Sequence, residues 1–197
     1  MYPPPHHQDN NKVHMIEVIK SYPLATLISV KNGEPLVTHL PLVYSEGKLS
    51  GHIDAGNPQA ELLKDGNSVK VIFGGPQCYI SPSIYTTPNL PTWNYVKVHL
   101  KGTVTSVEDA LSVKQALMDM AKTFEAPEHK FQLDPDDPRM DALINYIKGF
   151  EIEITHWEGK FKLSQDKSPE NLRNAREELI KTNQKNIRTF MEKIFKL

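Results

Sequence analysis

The stretch that most constrains this chain is Gly149 to Gln165, GFEIEITHWEGKFKLSQ. Phe150, Ile152 and Ile154 alternate with Glu151, Glu153 and Thr155, the period of two that marks a strand with one buried and one wet face. Gly159 is expected to turn the chain. Beyond it Phe161 and Leu163 keep the alternation while Lys160, Lys162 and Ser164 point the other way. Two ammonium groups and a hydroxyl thus share one edge, which suits an anion. An ordinary solvated strand carries the same pattern, because lysine is common on exposed edges.

Strand patterning continues upstream. Leu24 to Val30 is rich in β-formers, and Asn32-Gly33 is a hairpin signal into Glu34 to Tyr44, with Pro41 marking an edge or bulge. Glu46-Gly47 turns the chain into Lys48 to Ile53, so these three strands read as a β-meander. Ser68 to Phe73 and Gln77 to Ser81 are expected to flank a turn at Gly74-Gly75-Pro76. Ser83 to Pro91 is an irregular loop containing Tyr85, and Thr92 to Val107 is a long strand with a bend at Gly102. Helices are expected at Lys12 to Ser21, from Asn57-Pro58 to Gly66, at Glu108 to Phe124, at Arg139 to Lys148, and from Ser168 onward. The last carries an apolar stripe of Leu172, Ala175, Leu179, Ile187, Phe190, Met191 and Ile194. Met1 to Asn10, with three consecutive prolines, reads as an extended arm. Many hairpin strands with helices in the connections describe a mainly β fold with peripheral helices (α+β), a small antiparallel barrel.

The chain's 197 residues suffice for one sizeable core, and 39% hydrophobic with 24% charged residues is a globular composition. The single cysteine, Cys78, excludes an internal disulfide framework, and no apolar run follows a basic N-terminal segment, so a cytoplasmic protein is expected. No stretch approaches the roughly 20 apolar residues needed to cross a bilayer. The net charge of −1 argues against a general nucleic-acid footprint. It is uneven, however: Lys167 to Leu197 carries +4 and the preceding residues −5. Any DNA contact is therefore expected at Arg173, Arg176, Lys181, Lys185 and Arg188, which equally suit the wet face of a packed helix.

Three histidines on expected strands, His39, His52 and His99, raise the question of a metal. Their spacing matches no metal-ligand motif, and satisfied core or pocket histidines are the plainer reading. The expected helix start at Asn57 offers free amides to an anion, as every helix start does. Trp93 and Tyr95 flank Asn94, where an aromatic pair can stack on a ring while the amide binds a heteroatom edge; core packing or a dimer contact fits equally well. Cys78 and Ser81 lie in no recognisable nucleophile elbow, so no covalent catalysis is assigned.

Several segments together resemble one family. They are Thr38 to Leu42 (THLPL), Gly51-His52, Asn57 to Gln59 (NPQ), Tyr79 to Ser83 (YISPS), Pro91 to His99 (PTWNYVKVH) and Gly149 to Gln165. The chain through Gln165 is similar to the PaiB-like family of FMN-binding negative transcriptional regulators, which have the split barrel of the pyridoxamine-phosphate-oxidase type. The resemblance implies an FMN-binding split-barrel domain over residues 1–166, with inserted helices over 108–148 and a helical appendage over 167–197. It also implies a homodimer with flavin between two barrels. The cofactor-binding set expected on this basis is Thr26, His39, His52, Asn57, Gln59, Ser81, Trp93, Asn94, Lys160, Lys162 and Gln165. Two positions depart from the pattern. Ala55 stands where a basic residue is usual and Ala60 where an aromatic is usual, leaving Lys160 and Lys162 to supply the cation. Chemistry on this reading belongs to the flavin. The alternatives are a flavin-dependent oxidoreductase of the same fold and a barrel that has lost its flavin. No GxGxxG nicotinamide fingerprint and no helix-turn-helix pattern is present.

Overall fold

Period-two patterning accounts for most of the computed structural model, which describes residues 4–184. The strands are β1 (Gln8–Asp9), β2 (Leu24–Lys31), β3 (Glu34–Pro41), β4 (Val43–Ser45), β5 (Lys48–Asp54), β6 (Ser68–Ile80), β7 (Thr92–Val107) and β8 (Ile147–Lys162). The helices are α1 (Lys12–Ser21), α2 (Ala110–Glu125), α3 (Pro138–Ile144) and α4 (Pro169–Asn183), with short 3-10 turns at Pro5–His7, Pro58–Leu62 and Pro82–Ile84. The sheet has eight strands in the order β3-β2-β6-β7-β8-β5-β4, and β1 pairs separately with β8. No helix among the described residues is long and apolar enough to cross a membrane.

The chain forms two compact units, the larger from Asn10–Gly74 and Val98–Glu158. Its hairpins turn where the sequence indicates: Asn32 and Gly33 take φ of 54° and 86°, and Glu46 and Gly47 take 47° and 87°. These are the left-handed pairs a tight turn between twisted strands requires. β2 pairs β3 from Leu24 opposite Pro41 to Lys31 opposite Glu34, and β4 pairs β5. The expected meander is corrected at this point, because β3 and β4 stand at opposite ends of the strand order. Pro41 has no N–H to extend a ladder, and Leu42 turns fully inward with its amide on the Pro23 carbonyl at 3.0 Å. β5 pairs β8 instead, with Gly51 opposite Phe150. Leu27, Leu49, Val71, Phe73, Val98, Leu100, Phe150 and Ile152 fill the interior. Val113 and Leu117 of α2 pack with Met140 of α3.

The other unit comprises the residues up to Asp9, Gly75–Lys97 and the chain from Gly159 onward. Here α4 buries Ala175 and Leu179 against Cys78 and Ile80, joined by Ile84, Tyr85 and Leu163. Buried Asn171 of α4 accepts from the Thr86 amide at 2.9 Å.

Four further expectations are corrected. β6 runs unbroken through Gly74-Gly75-Pro76, and neither glycine takes the positive φ that marks the real turns. β8 likewise runs through Gly159, which pairs with Asp9. α3 stops at Ile144, because Ile147 and Lys148 pair with Asp54 and Ile53. The helix expected from Asn57 is a single five-residue 3-10 turn, too short to provide an anion site. The stripe residues Ile187, Phe190, Met191 and Ile194, with Lys185 and Arg188, lie outside the described residues.

Candidate functional site

The smaller unit holds a cleft of about 600 Å³ whose lining includes His7, Asn94, Lys162 and Ser164, a volume within the range of small-molecule sites. Alternation along β8 directs Lys162 to this side, and its ammonium donates to the Thr92 hydroxyl at 2.5 Å. Lys160 leans over the Tyr95 ring at 5.4 Å, within cation-π range. Asn94 is 1% exposed, and its amide group exchanges hydrogen bonds with the Ser164 hydroxyl at 3.0 and 3.2 Å. The Tyr85 hydroxyl lies 3.2 Å from the same oxygen. Ser164 takes φ of 63°, a costly conformation for a residue with a side chain. Its buried hydroxyl serves as the hub that fixes Asn94.

The cleft's other side comes from the chain's beginning. Gln8 pairs with Lys160 and Asp9 with Gly159, which sets the preceding turn so that buried His7 lines the cleft. His7 titrates below the ordinary histidine range. Burial is the chief cause, followed by the neighbouring His6 and Lys162, with Asp166 opposing. Asp166 pairs with Lys167 at 3.0 Å, and both line the cleft. Sequence reasoning missed His7, Thr92, Asp166 and Lys167. A two-residue strand leaves almost no periodic signal, although the His6-His7 pair after prolines was visible.

Other expected site residues of this unit are engaged locally. Gln165 donates to the Phe161 carbonyl and accepts from the Leu163 amide at 2.7 Å. Ser81 caps the turn at Pro82–Ile84 and meets Ser83 at 2.8 Å. Trp93, half exposed, donates to Gln77 at 3.2 Å and lies beside Tyr79. Cys78 is buried, and burial, then Glu178, pushes its thiol up, the opposite of an activated nucleophile.

The remaining expected residues belong to the larger unit. Thr26 and His39 face each other across β2 and β3 at 3.0 Å. Asn57 donates to Thr38 at 3.1 Å and caps its 3-10 turn. Gln59, 1% exposed, donates to the Leu27 carbonyl and the Ser29 hydroxyl, so it braces the hairpin. His52 is half-buried, and burial holds it below the ordinary histidine range. Ala55 is exposed while Ala60 is buried in the core.

The donors of the cleft fit the phosphate end of a flavin mononucleotide: ammonium groups, an imidazole and a fixed amide. Comparison with known proteins bears on the family and the fold. The family model described as "Putative FMN-binding domain" matches residues 1–156. Protease synthase and sporulation protein PAI 2 of Bacillus subtilis (strain 168) is 30% identical over 185 residues, covering 91% of this chain and 89% of that protein. Among solved structures, the FAD and heme binding protein from Mycobacterium smegmatis superposes with a TM-score of 0.66 at 16% identity, covering 85% of this chain and 79% of that one. The flavocytochrome Anf3 from Azotobacter vinelandii gives 0.62 at 16% identity, covering 79% and 69%. At such identities these two likenesses concern the fold, a split antiparallel barrel.

Proposed function

The chain belongs to the family described as "Putative FMN-binding domain", and on that premise we propose that it binds FMN with the phosphate at Lys162 and acts as a homodimer. It is a split-barrel protein similar to the PaiB-type regulators. The observation that carries the reading is the preset ammonium of Lys162, anchored by Thr92 in a cleft whose floor carries the immobilised Asn94 amide. Groups already held in place lose little freedom on binding, so their hydrogen bonds count more fully toward affinity. When bound, the flavin supplies the redox-active ring; the protein's part is to hold and orient it.

The distinguishing test compares FMN with riboflavin, which lacks the phosphate. Lys162→Gln is expected to weaken FMN by about 1 to 3 kcal/mol and leave riboflavin nearly unchanged. Equal loss for both ligands, or for neither, removes Lys162 from the phosphate site.

Support for a dimer comes from the outer face of β2 and β3. Ile28 lies opposite Val37, Val30 opposite Pro35 and Leu24 opposite Pro41, and Leu24, Val30 and Val37 are 64%, 64% and 53% exposed. The inner face of β2 is meanwhile buried through Ala25, Leu27 and Ser29. Apart from the hydrogen-bonded pair of Thr26 and His39, the outer face is apolar as well, as in a strand covered on both faces, and a second copy is the cover proposed here.

A further inference from the structure

We propose that His7, carried by the N-terminal arm, is a further phosphate-contacting residue of the cleft, so that the arm straps across the ligand and binding takes up a proton. This rests on the reading that the cleft holds the FMN phosphate, and it adds a residue outside the β8 edge. Three observations place His7 there. The turn Pro5–His7 closes on itself through the His7 amide and the Pro4 carbonyl at 2.8 Å. The next two residues are locked onto β8, with Gln8 opposite Lys160. The imidazole, 8% exposed, then lines the same cleft as Lys162 and Asn94.

The groups acting on that imidazole make its charge depend on the ligand. Burial, then His6, Lys162 and Lys160, disfavour its protonation in the free protein, and Asp166 favours it. A phosphate beside Lys162 reverses the local sign, because a dianion stabilises an imidazolium within hydrogen-bond reach. His7 then titrates at a higher pH in the complex than in the free protein. Between the two values binding consumes a proton, so affinity falls as pH rises through that window. Below the free-protein value His7 is charged in both states, and its contribution no longer changes with pH.

The experiment measures the FMN dissociation constant by fluorescence quenching for wild type, His7→Gln and His7→Asn from about pH 5.5 to 8, the range in which a histidine titrates. The phosphate itself titrates near pH 6, so the readout is the ratio of variant to wild type at each pH. That ratio is expected to reach about tenfold at the acid end, the size of a charge-assisted bond, and to shrink toward pH 8. Calorimetry in buffers of different ionisation heat is expected to show more proton uptake by wild type than by either variant. A ratio of one throughout, or equal proton uptake, overturns the inference while leaving FMN binding intact. A wild-type protein that binds no FMN overturns the parent reading as well. Should neither variant fold, the histidine resonances of wild type carry the test. The imidazole assigned to His7, distinguished from that of His52, must move upward with FMN and not with riboflavin; no such movement overturns the inference.

Discussion

Ser164 concentrates the physics of the cleft in one residue. Its backbone is held at φ 63° and its hydroxyl, 3% exposed, sits between Asn94 and Tyr85. Ser164→Ala keeps the backbone strain but strips a buried amide of its partner. The expected cost is about 1 to 3 kcal/mol of stability with looser FMN binding, read from the urea midpoint and a flavin titration. His52 gives a second expectation. Burial lowers its pKa in the folded protein, so the unfolded chain binds the proton more readily. Stability from this source is complete above the ordinary histidine value of about 6.5 and drains away as pH falls toward the folded value. His52→Asn should flatten the decline in urea midpoint between about pH 7 and 5; an unchanged decline assigns it elsewhere. At this scale the strand positions of Lys162 and Asn94 were legible from alternation, and their contact with FMN is the proposal. His7 was not, because its position depends on a two-residue pairing with a partner some 150 positions away.

Among the elements, turns were legible where chemistry compels them and misleading where it merely permits them. Asn32-Gly33 turns because both residues readily take left-handed φ. Gly74-Gly75-Pro76 permits a turn, but β6 stays extended through it from Ser68 to Ile80. The end of α3 was invisible for a related reason: Ile147 and Lys148 have a helical spacing but gain hydrogen bonds beside β5. Gly102, expected from sequence to bend its strand, has a packing role in the structure, since an added Cβ would lie 2.3 Å from Ile152 Cγ2 and 2.6 Å from the Glu153 carbonyl oxygen. Gly102→Ala is therefore expected to cost about 1 to 3 kcal/mol through overpacking and displaced strands, with thermal denaturation as the check. Asn11 caps α1 by accepting from the Val13 amide at 3.0 Å. Removing it as Asn11→Ala should cost about 1 kcal/mol.

For the whole molecule, charge and apolar surface suggest different partners. The described helix α4 carries Arg173, Arg176 and Lys181 against Glu170, Glu177 and Glu178, so its charge cancels. The basic excess of the tail lies at Lys167 and beyond Asn183, and direct DNA binding through α4 has little electrostatic basis. Removing everything after Gln165 would also strip Ala175 and Leu179 from the core they share with Cys78 and Ile80, so a charge-reversal variant is the cleaner probe. The apolar outer face of β2 and β3 gives the stronger indication, a second copy. Val37→Asp places a carboxylate opposite Ile28 and should convert a sedimenting dimer to monomer; a wild-type monomer at micromolar concentration contradicts the dimer.

Family membership and fold were legible across the chain because hairpin chemistry and alternation repeat many times. Of the residues that line the cleft, sequence patterning singled out Asn94, Lys162 and Ser164. A barrel that holds FMN by its phosphate must distinguish FMN from riboflavin when purified protein is titrated with the two in parallel. Saturable quenching of FMN fluorescence at one flavin per chain, with riboflavin markedly weaker, is the predicted result. Equal affinity for the two flavins, or no spectral change at a large excess of FMN, would contradict it.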